Sequence, residues 1–203
     1  MMEAADTRPP VKVLETMDKA VAQAIRAGQI IRRMRDFIEK GQTDRTAEAI
    51  NKVVEEASAL ALVGAKQENI RVHFSLTPDA PPVWIDKIQI QQVVLNLVRN
   101  AMEALIQSPV RDLTIATATA SDDMVEITVR DTGPGLAPVV AANLFQPFVT
   151  TKQKGMGLGL SICRSIVDAH GGRLWATPNP DGGITFHFTV QVAGAGNDHD
   201  DGA

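Results

Sequence analysis

A chain of 203 residues, 44% hydrophobic and 22% charged, has room for one well-formed core and an appendage. Its net charge of −4, two tryptophans and no tyrosine supply neither the basic field nor the stacking platform of a nucleic-acid binder, and no apolar run reaches membrane-spanning length. A single cysteine, Cys163, excludes an internal disulfide, and the N-terminus MMEAADTRPP lacks the basic-then-apolar pattern of a secretory signal, so a reducing, cytoplasmic setting is expected.

Residues 1–42 form a first region. Residues 1–10 read as a polar loop and 11–40 as one long helix. Leu14, Met17, Val21, Ala24, Gly28 and Ile31 recur at alternating helical spacings, the seam of a helical hairpin or coiled coil. Ile30, Met34, Phe37 and Ile38 widen the seam, and Gly41 is a stop signal. A seam on one helix has nothing to pack on within itself, so it predicts a partner helix from another chain. The run Arg32-Arg33-Met34-Arg35 fits either a solvated face or a dock for an acidic partner.

Residues 43–192 have a mixed α/β texture. Thr46 to Val63 reads as a helix with Ala47, Ile50, Val54, Ala57 and Leu60 on one side. Ile70, Val72, Phe74 and Leu76 alternate with Arg71, His73 and Ser75 in a half-buried strand from Asn69 to Thr77. After a proline-rich turn comes a short strand, Val83-Trp84-Ile85. Asp86 then caps a helix running to Ile106, whose buried stripe is read as Leu95, Val98, Met102 and Leu105. Leu113 to Thr119 and Val125 to Arg130 are strands joined by a turn at Ser121-Asp122-Asp123. Gly157 to His170 is a helix with Cys163 as buried filler, and Arg173 to Thr177 and Ile184 to Val192 are strands around a Pro/Asn/Gly turn. Residues 193–203, AGAGNDHDDGA, have the composition of a disordered tail. These elements suggest a two-layer α/β sandwich. Their order is not that of a doubly wound sheet, and neither G-x-G-x-x-G after a first strand nor G-x-x-x-x-G-K-[ST] is present, which argues against dinucleotide-binding and P-loop folds.

Three stretches carry candidate chemistry. In QQVVLNLVRNAMEAL, Asn96, Arg99, Asn100 and Glu103 share a face apart from the buried stripe. An amide oxygen is a hard ligand suited to Mg2+, and a guanidinium suits a phosphate. The plain alternative is a solvated face with an Arg99–Glu103 pair. In RDTGPGLAP, Asp131 ends a strand as a fixed acceptor, suited to a heterocyclic amino group such as that of adenine. Gly133 and Gly135 permit a tight turn beside a ligand, although D-x-G-x-G is also a common turn. In NLFQPFVTTKQKGMGLGLS, Phe145 and Phe148 flank Pro147 and are expected to pin a loop to the core. Thr150 to Met156 reads as a mobile lid carrying Lys152 and Lys154. Gly155, Gly157 and Gly159 lead into a helix whose first amides and dipole would receive phosphates.

Taken in order, N-x-x-x-N-A, D-x-G-x-G, F-x-x-F, G-x-G-L-G-L and the G-G-x-T-x-F of Gly182 to Phe186 resemble the N, G1, F and G2 boxes and the last strand of sensor histidine kinases, within the wider class of Bergerat-fold ATPases. The likeness covers about residues 43–192. RAGQIIRRMRDFIEKG, Arg26 to Gly41, is similar to the second dimerisation helix of FixL-type oxygen-sensing kinases. The resemblance implies a mixed sheet and about three helices behind a dimerisation helix, with ATP and Mg2+ as cofactors. It implies that Asn100 holds Mg2+ against the phosphates, that Asn96 lies beside them and that Asp131 receives the adenine amino group. Gly133 and Gly135 would shape the base pocket, Gly155, Gly157, Leu158 and Gly159 the phosphate-side loop, and Thr185 would help close the adenine pocket. Lys152, on physical grounds alone, is a candidate for the γ-phosphate; Arg99 and Glu103 complete the set, Glu103 standing where many relatives carry a basic residue. The partners implied are a second copy in the intact kinase, a helix carrying the phosphoacceptor histidine, and a response regulator.

Residues 1–40 hold no histidine, and His73, His170, His187 and His199 fall in strands, a turn and the tail rather than on an exposed helix beside a carboxylate. A kinase fragment or natural truncation that does not phosphorylate itself in cis is therefore expected. Chaperone and DNA-repair members of the class carry Glu where Asn96 stands. An amide does not accept a proton at neutral pH, so slow hydrolysis is expected and a hydrolytic ATPase is disfavoured. The alternative reading is a nucleotide-dependent partner-switching or anti-sigma type module.

Overall fold

Alternation and helical periodicity sort the residues from 44 onward into two layers. The structure, a computed structural model, describes residues 44–120, 123–136, 141, 143–150 and 157–194, together with Val13, Thr16, Met17 and Val21. The chain divides into two units, Met1–Thr43 and Asp44–Ala203. In the first, the four described residues are helical and exposed. The rest of the expected seam, the Arg32–Arg35 run and the tail beyond Gly194 lie outside the described residues.

In the second unit the order is β1 (Thr46–Glu48), α1 (Ile50–Ala61), β2 (Arg71–Leu76), β3 (Val83–Ile85), α2 (Lys87–Leu105), β4 (Asp112–Thr119), β5 (Met124–Asp131), α3 (Gly159–Ala169), β6 (Leu174–Pro178) and β7 (Ile184–Gln191). One sheet runs β2-β4-β5-β7-β6 and a second, small one pairs β1 with β3. The large sheet is mixed: β2 and β4 are parallel, with α2 in the crossover between them, and the other neighbours are antiparallel. Val125, Ile127 and Val129 of β5 and Phe186, Phe188 and Val190 of β7 are buried toward the helices. Each large apolar side chain so buried contributes about 1.5–3 kcal/mol.

Two helices differ from expectation in informative ways. The segment read as the start of α1 is instead β1: Thr46, Ala47 and Glu48 pair with Ile85, Trp84 and Val83. The backbone groups of β3 need partners, and this non-local demand overrides local helix propensity. The buried stripe of α1 is Ile50, Val53, Val54, Ala57 and Ala61, while Leu60 is 69% exposed; Ala61, not Leu60, continues the 50-54-57 progression. In α2 the buried arc is Ile90, Val93, Val94, Leu97, Val98, Ala101 and Leu105, with Leu95 and Met102 only partly buried. The arc is broad because α2 packs on α1, α3 and β5 at once.

The ends of α2 are fixed, which matters because this helix carries the site. At the start, Asp86 Oδ1 accepts the Gln89 N–H at 3.1 Å. Asp86→Ala should therefore lower the free energy of urea unfolding by about 1 kcal/mol. At the end, Arg111 donates to the carbonyls of Ile106 (2.8 Å), Ser108 (3.1 Å) and Glu68 (2.5 Å), tying the last turn to the segment that enters β2.

Candidate functional site

Helix α2 is the spine of the site. Asn96, Asn100 and Ala104 stand one turn apart on one face, spanning about 12 Å of helix. Against the first lies the start of α3. A Cβ on Gly159 would stand 2.8 Å from Asn96 Oδ1, so a larger residue there would push the Asn96 amide aside. Asn96 Nδ2 donates to Cys163 Sγ at 3.1 Å, one turn further along α3. Against the last lies the turn after β5, where a Cβ on Gly133 would stand 3.1 Å from Ala104 Cβ. Half-buried Asn100 lies between them, and Arg99 and Glu103 are exposed alongside. Two glycine motifs far apart in sequence thus meet the same helix two turns apart, on either side of Asn100.

Asp131 closes β5 and is 1% exposed. Its Oδ1 accepts the Gly133 N–H at 2.8 Å. Its Oδ2 is buried and meets no hydrogen-bond donor among the described residues. Burial pushes this carboxyl above the usual carboxylate range, while the backbone N–H of Gly133 and that of Ile184 pull it partway back. An unpaired buried acceptor is costly, and a hydrogen-bond donor such as a ligand N–H would satisfy it.

The strand end bearing Asp131 is held from outside the pocket by a residue that sequence reasoning missed. Asn179 Nδ2 donates to the Asp131 carbonyl at 2.9 Å, and Asn179 Oδ1 accepts the Thr185 hydroxyl at 2.6 Å. Thr185 is in register with Arg130 and with Thr177, so its side chain lies on the sheet face opposite Asp131. It supports the strand end through Asn179. Gly135 completes the clamp: a Cβ there would stand 3.4 Å from the Gly183 carbonyl oxygen.

The family model described as histidine kinase-, DNA gyrase B-, and HSP90-like ATPase matches residues 85–194. The chain belongs to this ATPase family. Within the family its likeness is to histidine kinases. It is 53% identical over 182 residues to the sensor protein FixL of Bradyrhizobium diazoefficiens, covering 90% of this chain and 36% of FixL. The nucleotide-free catalytic domain of histidine kinase ThkA matches with a TM-score of 0.66 at 32% identity, over 73% of this chain and 95% of that one. Histidine kinase ThkA in complex with response regulator protein TrrA matches with a TM-score of 0.68 at 26% identity, over 93% of this chain and 52% of that one. The chain thus spans about a third of the length of FixL. The mixed sheet with three helices described above is the Bergerat fold of these catalytic domains.

The segment that enters α3 is anchored by backbone. Gly157 has φ +67° and precedes α3, which begins at Gly159 rather than at Gly157. A Cβ on Gly157 would stand 2.6 Å from the Phe148 carbonyl carbon, and the Phe148 N–H donates to Gly157 O at 2.9 Å. Only Phe145 packs on the core; Phe148, expected to do the same, is 66% exposed with φ +67°. What holds the loop is this backbone bond, not a second ring. Leu158 is buried, and α3 opens without a side-chain cap, as suits a helix start that receives an anion. Lys152 and Gly155 lie outside the described residues.

Cys163 and His187 are held in structural contacts. Cys163 is buried, and burial pushes its thiol up to about 12, which keeps it an unreactive neighbour of Asn96. His187 stacks on Trp175 with ring centroids 5.0 Å apart and has Nδ1 2.7 Å from Glu126 Oε1. His73 is exposed in edge strand β2, and His170 is buried.

Proposed function

We propose that this ATPase domain is the Mg·ATP-binding catalytic part of a two-component sensor histidine kinase. It would transfer the γ-phosphoryl group to a histidine on a dimerisation helix, from which a response regulator aspartate takes it. The observation that carries the reading is the convergence of Gly159, Asn100 and the Asp131–Gly133 turn along α2, with the lone acceptor Asp131 Oδ2 at one end. In this reading Asp131 accepts the adenine amino group, and the glycine-bordered start of α3 receives the phosphates. The Asn100 amide oxygen supplies one hard ligand to Mg2+. The ion itself would neutralise phosphate charge and orient the transferred group. Lys152 is the candidate cation for the γ-phosphate, and Arg99 and Glu103, exposed beside Asn100, would line the rim. The complex of ThkA with TrrA supports a response regulator as partner. No helix among the described residues is long and apolar enough to cross a membrane, and we place the reaction in the cytoplasm.

Asn96 decides what this site does with water. Its Nδ2 is committed to Cys163, and no amide atom takes a proton at neutral pH, so ATP is held for a side chain rather than hydrolysed. Asn96→Glu installs a base near the phosphates and should raise basal ATP hydrolysis roughly tenfold. This is the low end of general-base effects, because the longer side chain crowds Gly159. A phosphate-release assay that finds no increase would remove Asn96 from the phosphate side. The function as a whole is tested by incubating the chain with γ-labelled ATP and the phosphoacceptor-helix fragment of FixL. Acid-labile label on the fragment's histidine is expected. Release of labelled phosphate with no phosphohistidine would overturn the kinase reading.

A further inference from the structure

His170 lies outside the nucleotide face and is 1% exposed, yet both its ring nitrogens are engaged. Nδ1 lies 2.7 Å from Ile166 O. A carbonyl only accepts, so Nδ1 carries the proton. Nε2 then holds the lone pair and accepts the Asp86 N–H at 3.0 Å. The neutral ring thereby joins the C-terminal cap of α3 to the N-terminal cap of α2. At the other end of α3, Gly159 meets Asn96 in the middle of α2. The clasp and the phosphate end are thus the two ends of the contact between α3 and α2, about 16 Å apart. The turn beyond the ring cannot absorb a shift, because Gly172 packs directly on the Thr189 carbonyl.

We propose that His170 is a positioning residue for nucleotide binding: in its neutral form it fixes the register of α3 against α2, and protonation releases that register and loosens the hold on the phosphates. The proposal rests on the nucleotide reading above. A proton on Nε2 would face the Asp86 N–H donor to donor and place a cation in a buried site. The charged groups facing the ring are Arg45, which donates to the adjoining Ala169 carbonyl, and Asp86, whose carboxylate caps Gln89. On its own helix, Asp168 lies 3.7 Å from Arg164 instead. Burial, the largest influence, holds the imidazole below its usual pKa; the Ile166 carbonyl raises it, Arg45 lowers it and Asp86 raises it. With the folded value depressed, the clasp is intact above the free-histidine pKa of about 6.5 and is lost as pH falls through the folded value. By reciprocity, bound nucleotide should depress the His170 pKa further.

The test uses the 203-residue chain and the ATP analogue AMPPNP with Mg2+. The dissociation constant is measured at pH 7.5 and 5.5 for the wild type and for His170→Gln, whose amide can accept the Asp86 N–H without titrating. Protonation of the analogue and of Asp131 is common to both proteins and cancels in the ratio. We expect the wild type to lose roughly threefold more affinity than the variant over this range, the scale of one buried hydrogen bond. Equal pH dependence would overturn the proposal. A second measurement holds even if the variant does not fold: the His170 ring is titrated by NMR in the wild type with and without Mg·AMPPNP. A lower midpoint with nucleotide supports the coupling, and an unchanged midpoint shows a merely structural histidine. Failure of the wild type to bind at pH 7.5 would sink the underlying nucleotide reading as well, whereas binding with no His170 linkage sinks this inference alone.

Discussion

Asp131→Asn is expected to weaken Mg·ATP binding and, at the same time, to stabilise the empty domain. In the wild type, Oδ1 is occupied by the Gly133 N–H while Oδ2 has no donor among the described residues. Asparagine keeps the first contact through its oxygen. It then presents an N–H where the adenine amino group arrives, donor against donor. A hydrogen bond to a charged group is worth about 1.5–3 kcal/mol, so calorimetry should show a loss of roughly 10- to 100-fold in affinity. Stability moves the other way. Burial raises the folded-state pKa of Asp131 above its unfolded value. The associated stability is therefore complete below the unfolded pKa of about 3.9 and is lost as pH rises through the folded value. At pH 7 the wild type carries the cost of a buried, under-paired charge and the asparagine variant does not. Urea midpoints at pH 7 should be higher for Asp131→Asn, with the difference shrinking toward pH 4. A variant that loses stability as well as affinity would show that the carboxylate serves the fold and not a ligand.

This opposition between stability and binding explains what could and could not be seen in the sequence. Asn96, Asn100 and Glu103 were legible as one face because helical spacing is a local property, and the Asp86 cap was legible for the same reason. Asp131 was legible as a fixed acceptor because it ends a strand and opens the Asp-x-Gly-x-Gly turn. The strand β1 was not legible: its partner, β3, is 35 to 39 positions away by the register Glu48 to Val83 and Thr46 to Ile85, and no local pattern reports such pairing. Asn179 was hidden within an ordinary Asn-Pro-Asp-Gly turn. Its role appears only when β6 and β7 bring it beside the Asp131 carbonyl. The face of Thr185 could have been read, since Ile184, Phe186 and Phe188 alternate inward around it. The broad buried arc of α2 exceeds a single stripe because two helices and the sheet pack on that helix at once, an arrangement fixed by topology and not by periodicity.

Gly183→Ala should be among the most damaging small substitutions in the domain, and its damage should reach the ligand. Gly183 has φ +85°, and a Cβ there would stand 2.0 Å from the Asp131 carbonyl oxygen and 2.9 Å from Thr132 Cα. Both neighbours are backbone and cannot rotate away. Left-handed strain on alanine costs about 1–2 kcal/mol, and forcing apart packed backbone adds roughly 1–3 kcal/mol, so about 3 kcal/mol of unfolding free energy should be lost. Gly194 supplies the control, with φ +95° and nothing within 4 Å of an added Cβ; Gly194→Ala should show the conformational cost alone, about 1 kcal/mol. The two variants also separate in function. Relief of the clash moves β7 away from the end of β5, and with it the Asn179 bridge that holds Asp131 in place. Gly183→Ala should therefore bind Mg·ATP more weakly than the wild type even under conditions where both are fully folded, while Gly194→Ala binds normally. Equal unfolding free energies for the two alanine variants would mean that the close approach of Gly183 to the Asp131 carbonyl does not exist in solution, and the geometry assigned to the adenine end would fall with it.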